Sequence, residues 1–461
     1  MPGAAELNGL LGTSTECSCG RCHVVPTRRA LVGAAVLDRL PGLLAELRLD
    51  GPALLTADPN TWEVAGRRVG QLLRSSGTSV QDLILASQTA HGLEATAEIA
   101  AEVEARMRGA FAFAVAVGSG TINDLTRLPA SNLGIPYVVV ATAPSMNGYT
   151  SAIAAILEGG IKRTLPCAPP VAVVADTDIL AAAPREMTAA GFGDLLSKAT
   201  SSADWKMASL VRGEYYCDRP VEVVEEAERR CRANAAAIGR GDPGAIEGLI
   251  VALLQSGISM AMAGSSAPAS GGEHLISHYW DMTASARGRR PRLHGEQVAV
   301  ASLICASLYE ALRALPLSEV GIQRALQQRP DTAELLAASR AHLAPLLGDE
   351  IAEGIARELA AKHLDRDGVE ASLARIGESP SAFWSALTPI LRPGAELRDA
   401  LAAAGAPTTI GQLGIPPAEL RDAFIHAREI RGRYTVLDLA FDLGMLEDLR
   451  DEVIEASGVL A

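Results

Sequence analysis

Aromatic residues make up only 4% of this 461-residue chain, lysine occurs four times and histidine eight. So few rings exclude a core built on large aromatics. With 48% apolar residues and much alanine, the chain is read as a globular, helix-rich protein of two or three domains. Positive charge is scarce as well. A formal charge of −13 repels polyanions, so neither nucleic acid nor an anionic membrane is an expected partner. An anionic substrate would need a local positive site. The chain also lacks an unbroken apolar run of the roughly 20 residues that span a bilayer. Its longest, "GLIVALLQSGISMAMAG" (248–264), is interrupted by Gln255 and two serines and predicts a buried helix, with no membrane insertion. No basic segment followed by an apolar stretch opens the sequence, so a signal peptide is not expected and a cytoplasmic location is.

Cysteine is sparse and odd in number. The seven are scattered at 17, 19, 22, 167, 217, 231 and 305, which is no disulfide framework. Three crowd into "CSCGRCHVV" (17–25). Cys19, Cys22 and His23 spell the C-x-x-C-H of covalent haem attachment, which belongs to exported proteins and is set aside. With Cys17 the stretch also resembles a zinc knuckle, but no second ligand pair follows in the sequence. The expectation is a hairpin with small buried thiols and no metal.

What is present begins with strands. "ALVG" (30–33), "ALLTAD" (53–58), "LILAS" (83–87), "AFAVAVG" (112–118), "YVVVATA" (137–143) and "VAVVADT" (171–177) are short and nearly all apolar, the mark of a parallel sheet covered on both faces. Helical periodicity fills the gaps between them. The alternation predicts a doubly wound, Rossmann-like α/β domain over 1–184, whose ligands bind at the carboxyl ends of the strands. Beyond Pro184 the period is 3.6 throughout, predicting an all-α domain over 185–461 and an active site in the cleft between the two.

Chemistry concentrates in a few stretches. In "VAVGSGTINDLTR", Gly118, Ser119 and Gly120 follow a strand and open a helix, where backbone N–H groups can meet a diphosphate. Asp58 ends the second strand and could accept hydrogen bonds from a ribose; capping the next helix is an equal alternative. His274 and His278 share a helix face, and His294 follows within "GGEHLISHYWDMTASARGRRPRLHGEQ". Asp194 lies upstream in "GFGDLLSK", either as a cap or as the carboxylate of a site whose two imidazoles and open positions suit a catalytic divalent metal. Lys198 stands four residues after Asp194, and Lys162 lies in "GGIKRT". Arg287, Arg289, Arg290 and Arg292 precede His294 and form either a solvated basic loop or the positive field for an anionic substrate.

The stretches "GSGTINDLTR", "TAPSMNGYTSAIAAI", "AAGFGDLLSK", "PASGGEHLISHYWDM", "LHGEQVAV" and "RGRYTVLDLAFDLG", in this order over most of the chain, resemble the AraM-type glycerol-1-phosphate dehydrogenases. These belong to the superfamily of metal-dependent alcohol dehydrogenases, glycerol dehydrogenases and dehydroquinate synthases. The resemblance implies a metal held by Asp194, His274 and His294, with His278 nearby. Iron-type relatives carry a further histidine where this chain has Lys198, which cannot ligate as an ammonium, so zinc is expected, with nickel or iron as alternatives. It also implies NAD or NADP bound by Asp58, Gly118, Ser119, Gly120, Asp124, Thr142 and Ser145, with Lys162 near cofactor and substrate. The implied reaction is reversible reduction of dihydroxyacetone phosphate to sn-glycerol 1-phosphate, in a homo-oligomer of two or more chains. Asn147 departs from the family, which has Asp there. It is therefore expected to bind substrate rather than relay a proton, leaving that proton to His278 or water. A sugar-phosphate cyclase using NAD transiently and a non-catalytic protein with a decayed site are the alternatives.

Overall fold

The computed structural model describes residues 2–87, 92–159, 161–315 and 319–460. Two compact units emerge, Met1–Leu195 with Arg219–Ser266 and Leu196–Asp218 with Ala267–Ala461. Residues 185–195 and 219–266, placed by periodicity with the helical half, group with the sheet. Periodicity identifies a helix but carries no information on which core its apolar face joins.

Ten strands occur among the described residues of the first unit: β1 (Ser14–Glu16), β2 (Cys22–Val24), β3 (Arg29–Gly33), β4 (Ala53–Ala57), β5 (Val80–Ile84), β6 (Phe113–Gly118), β7 (Tyr137–Ala141), β8 (Ile153–Glu158), β9 (Ile161–Pro166) and β10 (Ala172–Asp176). Six form one parallel sheet in the order β3-β10-β7-β6-β4-β5. Its central strands β4, β6, β7 and β10 are buried at every position, which is why they read as continuous apolar runs. On one face Leu55, Val115, Val117, Val138, Val140 and Val174 join Leu40, Leu43 and Leu44 of the helix Leu40–Leu47 in a single core. Each such side chain contributes roughly 1.5–3 kcal/mol.

Two features differ from the sequence reading. The third strand, expected at 83–87, lies at 80–84. As an edge strand it pairs only with β4 and can carry Gln81 and Asp82, the latter bonded to Arg74 at 2.6 Å, so apolarity alone misplaces it. The antiparallel hairpin β8–β9 was not foreseen. The helix Pro243–Ala263 is long and apolar enough to cross a membrane, yet 78% of its most apolar window is buried. Among the described residues, the second unit is entirely helical.

Candidate functional site

Chain order and sheet order together mark a ligand crevice. From β4 the chain moves outward to β5, then returns to the other side of β4 to form β6 and continues away through β7 and β10. The reversal lies between β4 and β6, and in open α/β sheets ligands bind at the carboxyl ends flanking such a point. Those ends carry Asp58 and Gly118-Ser119-Gly120. Glycine is required at 118 by space, because a Cβ there would come within 2.6 Å of Ile122 Cβ. Ser119 precedes the helix Gly120–Leu133, and its hydroxyl meets that of Ser145. Thr142 follows β7 and donates its N–H to Gly118 O at 3.2 Å. Tyr149 donates to Ala143 O at 2.7 Å in the same region, and burial pushes its phenol up to about 12.

Not every sequence candidate turns its polar atoms outward. Asp58 Oδ1 accepts from the N–H groups of Asn60 and Thr61 at 2.8 and 2.9 Å, so Asp58 caps the next helix. Asp124 is buried, with Oδ1 on Arg127 and Oδ2 accepting from Ala155 N at 3.0 Å. Arg127, unnoticed in the sequence, donates to Gly148 O at 2.8 Å and to Ser151 O at 3.0 Å. It thereby fixes the turn that carries Asn147. Burial opposes its charge, but Asp124 outweighs this and holds the guanidinium above its ordinary value. Lys162 is half-buried in β9, opposite Leu157.

Asp194 sits near the end of the helix Arg185–Leu196 and is buried. Gly191 lets that helix close on the 144–147 segment, since a Cβ would fall 1.8 Å from Pro144 O. Asn147 then donates twice to the carboxylate, from N to Oδ2 at 2.8 Å and from Nδ2 to Oδ1 at 2.9 Å.

In the second unit the three histidines gather. His274 and His278 lie on the helix Gly272–Ala286, and His294 begins the helix His294–Ala314. Their ring centroids are 5.0 Å (274–294), 5.5 Å (278–294) and 6.3 Å (274–278) apart. Glu273 Oε1 lies 2.8 Å from His274 Nδ1, and Ser277 Oγ lies 3.2 Å from His294 Nδ1. Partners on Nδ1 orient the rings and leave each Nε2 for a metal, the usual outer-shell arrangement. Burial works against the Glu273 charge, yet His274, Gly271 N and Thr200 hold it ionised and below the usual range. Neighbouring Asp204 goes the other way: burial, then the Glu273 charge, pushes it up to about 8. Its oxygens accept from Gly272 N at 2.7 Å and Val436 N at 2.9 Å, tying down the start of the His274 helix. Glu273 stood beside His274 in a quoted motif; Asp204 carried no sequence signal. Lys198 is buried at the first position of the helix Lys198–Arg212. Arg287 and Arg289 pair with Glu419, and Arg292 donates to Gln412 O at 2.5 Å, so most of the basic loop serves the protein.

Residues 31–184 match the iron-containing alcohol dehydrogenase family. The chain is 37% identical to an NAD(P)+ glycerol-1-phosphate dehydrogenase of Halalkalibacterium halodurans over 298 residues, 64% of this chain and 74% of the other. Its counterpart in Bacillus licheniformis is 30% identical over 441 residues, 95% and 94% of the two chains. Glycerol dehydrogenase from Schizosaccharomyces pombe shares the fold, with a TM-score of 0.59 at 16% identity, over 94% of this chain and 92% of that one. The chain belongs to the glycerol-1-phosphate dehydrogenase family.

Proposed function

We propose that the protein reduces dihydroxyacetone phosphate, or a closely related phosphorylated ketose, reversibly to sn-glycerol 1-phosphate at the expense of NADH or NADPH. The observation that carries this reading is the alignment of 95% of the chain with a glycerol-1-phosphate dehydrogenase, and the group that would do the chemistry is a divalent cation. Its proposed ligands are Asp194, whose carboxylate Asn147 holds at 2.8 and 2.9 Å, and His274 and His294, whose ring centroids are 5.0 Å apart. One carboxylate and two imidazoles with open positions suit catalytic zinc, with nickel or iron as alternatives. A cation held there would act as a Lewis acid on the substrate carbonyl.

The chain's own residues supply the rest. Asn147 orients Asp194 with two N–H donors, and an Asp at this position would bring a second negative charge there instead. With one Nδ2 N–H spent on Asp194, the other N–H and the carbonyl oxygen are left for a substrate hydroxyl. Glu273 and Ser277 fix His274 and His294. His278 is the proton donor to the carbonyl oxygen. Lys198 and Lys162 serve the substrate phosphate and the cofactor, and the crevice at Asp58 and Gly118–Gly120 takes the dinucleotide. We place the reaction in the cytoplasm and expect a homo-oligomer.

The test is NADH and NADPH oxidation by metal-loaded protein, with dihydroxyacetone phosphate compared with dihydroxyacetone. Net cofactor consumption that prefers the phosphorylated ketose is expected, and His294→Ala should lose both the metal and the activity. Cofactor that cycles without net consumption would indicate a cyclase. A fully metallated and active His294→Ala would overturn the ligand set.

A further inference from the structure

The stretch set aside as a simple hairpin places a thiol against a buried imidazole. The hairpin is there, β1 pairing with β2 so that Thr15 lies opposite His23 and Glu16 opposite Cys22. Its thiols differ from the expectation of burial: Cys17 and Cys19 are half-buried and Cys22 is exposed. The loop closes tightly, with Cys17 N donating to Arg21 O at 3.1 Å and Gly20 N to Cys17 O at 3.0 Å. Gly20 takes the left-handed conformation at φ +83° that a side chain would resist. Cys22 and His23 are successive on β2 and so face opposite sides. Cys22 Sγ lies 3.0 Å from Ser14 Oγ, while His23 turns inward to the end of the helix Pro243–Ala263.

His23 is 1% exposed, and its Nδ1 lies 2.8 Å from the backbone carbonyl of Met262. A carbonyl can only accept, so Nδ1 carries the proton and Nε2 is left to face Cys19 Sγ at 3.5 Å. Hairpin and helix belong to the same compact unit, so all of these contacts lie within it. A thiol, an imidazole within hydrogen-bond reach and a third group that orients the imidazole are the parts of an activated sulfur nucleophile. Burial opposes a charge on His23, but the Met262 carbonyl and the sulfurs of Cys17 and Cys19 outweigh it and hold the imidazole above its ordinary 6.5. A thiol proton therefore has an acceptor. Passing from Cys19 Sγ to Nε2, it leaves a thiolate beside an imidazolium, and the thiolate is the reactive form. Cys17 stands two residues away, its sulfur within 4.8 Å of Cys19 Sγ and of a His23 ring nitrogen. Neither cysteine is in a disulfide.

We propose that Cys19, paired with His23, is a nucleophile towards hydroperoxides, and that Cys17 resolves the oxidised product as a disulfide. With hydrogen peroxide the Cys19 thiolate attacks one oxygen, so that an S–O bond forms and the O–O bond breaks. The departing hydroxide takes the proton from His23 Nε2 and leaves as water, and Cys19 is a sulfenic acid, oxidised by two electrons. The Cys17 thiol then attacks that sulfur. An S–S bond forms, the S–O bond breaks, and the Cys17 proton leaves with the hydroxide as a second water. Two thiols and one peroxide thus give one disulfide and two waters, a change that an added dithiol reverses. A half-buried thiolate poised beside a second thiol is the usual arrangement of a redox-sensitive pair. Cys22, on the opposite side of the strand, takes no part.

The test uses the full-length protein and follows no turnover, so a failure here and a failure of the proposed reduction are read separately. Reacted with iodoacetamide at about pH 7 and followed by peptide mass spectrometry, Cys19 should be alkylated about tenfold faster than Cys22, although Cys22 is the more exposed. The Cys19 rate should level off above about pH 7, where that of an ordinary thiol is still climbing. These wild-type rates need no variant, so misfolding cannot mask the result. His23→Gln should remove the Cys19 advantage, with Cys22 as the internal control. One equivalent of hydrogen peroxide should lower the mass of the peptide holding Cys17 and Cys19 by two hydrogens, and dithiothreitol should restore it. In Cys17→Ser the same treatment should leave a sulfenic acid on Cys19 that dimedone traps. A Cys19 slower than Cys22, a Cys19 that reacts only after a chelator is added, or peroxide treatment that leaves Cys17 and Cys19 unlinked would overturn the proposal.

Discussion

The centre of the sheet and the interior of the helical unit are filled by different means. At the centre of the sheet the deepest positions are aliphatic, with Leu54, Leu55, Val115, Val117, Val138, Val139, Val173 and Val174 all at 0% exposure, and the buried Arg127–Asp124 pair lies outside it on a flanking helix. The helical unit buries charge. Asp442 accepts from Arg212 at 2.6 Å and from Arg329 at 2.8 Å, and Lys362 lies 2.8 Å from Asp438. An aliphatic core is specified by volume and tolerates swaps that conserve it. A buried ion cluster is specified by complementarity, so removing one partner strands the others in low dielectric.

That contrast can be broken by substitution. The largest effect is expected from Asp442→Asn, which hardly changes volume but leaves Arg212 and Arg329 short of an anion. It should cost roughly 3–5 kcal/mol in chemical denaturation. In the sheet unit Leu55→Ala should cost about 3 kcal/mol through the cavity left behind, whereas Leu55→Met should cost under about 1.5 kcal/mol. A cheap Asp442→Asn or an expensive Leu55→Met would erase the distinction. Next comes Asp58→Ala, losing about 1 kcal/mol of stability with the helix cap. Asp58→Asn, which keeps the cap, should leave stability alone and raise KM for NADH, separating the cap from the proposed ribose contact.

The smallest effect is a pH dependence confined to the helical unit. His363 Nδ1 accepts from Arg329 at 3.1 Å, which the ring can do only when neutral. Burial first, then the charges of Arg329 and Arg428, lower His363 to about 4 from its ordinary 6.5. Between those values the unfolded chain binds a proton that the folded one refuses, so stability falls as pH drops from about 6.5 towards 4. His363→Gln should flatten that part of a Tm-against-pH curve. A curve as steep in the variant as in the wild type would assign the slope to other groups.

The same contrast explains what could be read from the chain. Strands buried on both faces announce themselves as runs such as "AFAVAVG", and the glycines after β6 follow from a helix packed against a strand end. The histidines stood out because the chain has so few. Edge strand β5, which has no buried position, was legible as a strand but three residues out of place. Long-range polar partners left no such mark: Arg127 on Gly148 and Ser151, and Asp204 on Gly272 and Val436. Each depends on residues far apart in sequence, where neither periodicity nor spacing carries a signal. Asn147 was legible as a departure from its family, but its two bonds to Asp194 were not.

The configuration of the product tests the proposed reaction most directly. Metal-loaded protein would be given dihydroxyacetone phosphate and NADH, and the glycerol phosphate formed would be offered to an enzyme that oxidises only the sn-3 enantiomer. The account predicts that NADH is consumed and that the product is left untouched by that enzyme. Complete oxidation of the product, or no glycerol phosphate at all, would contradict it.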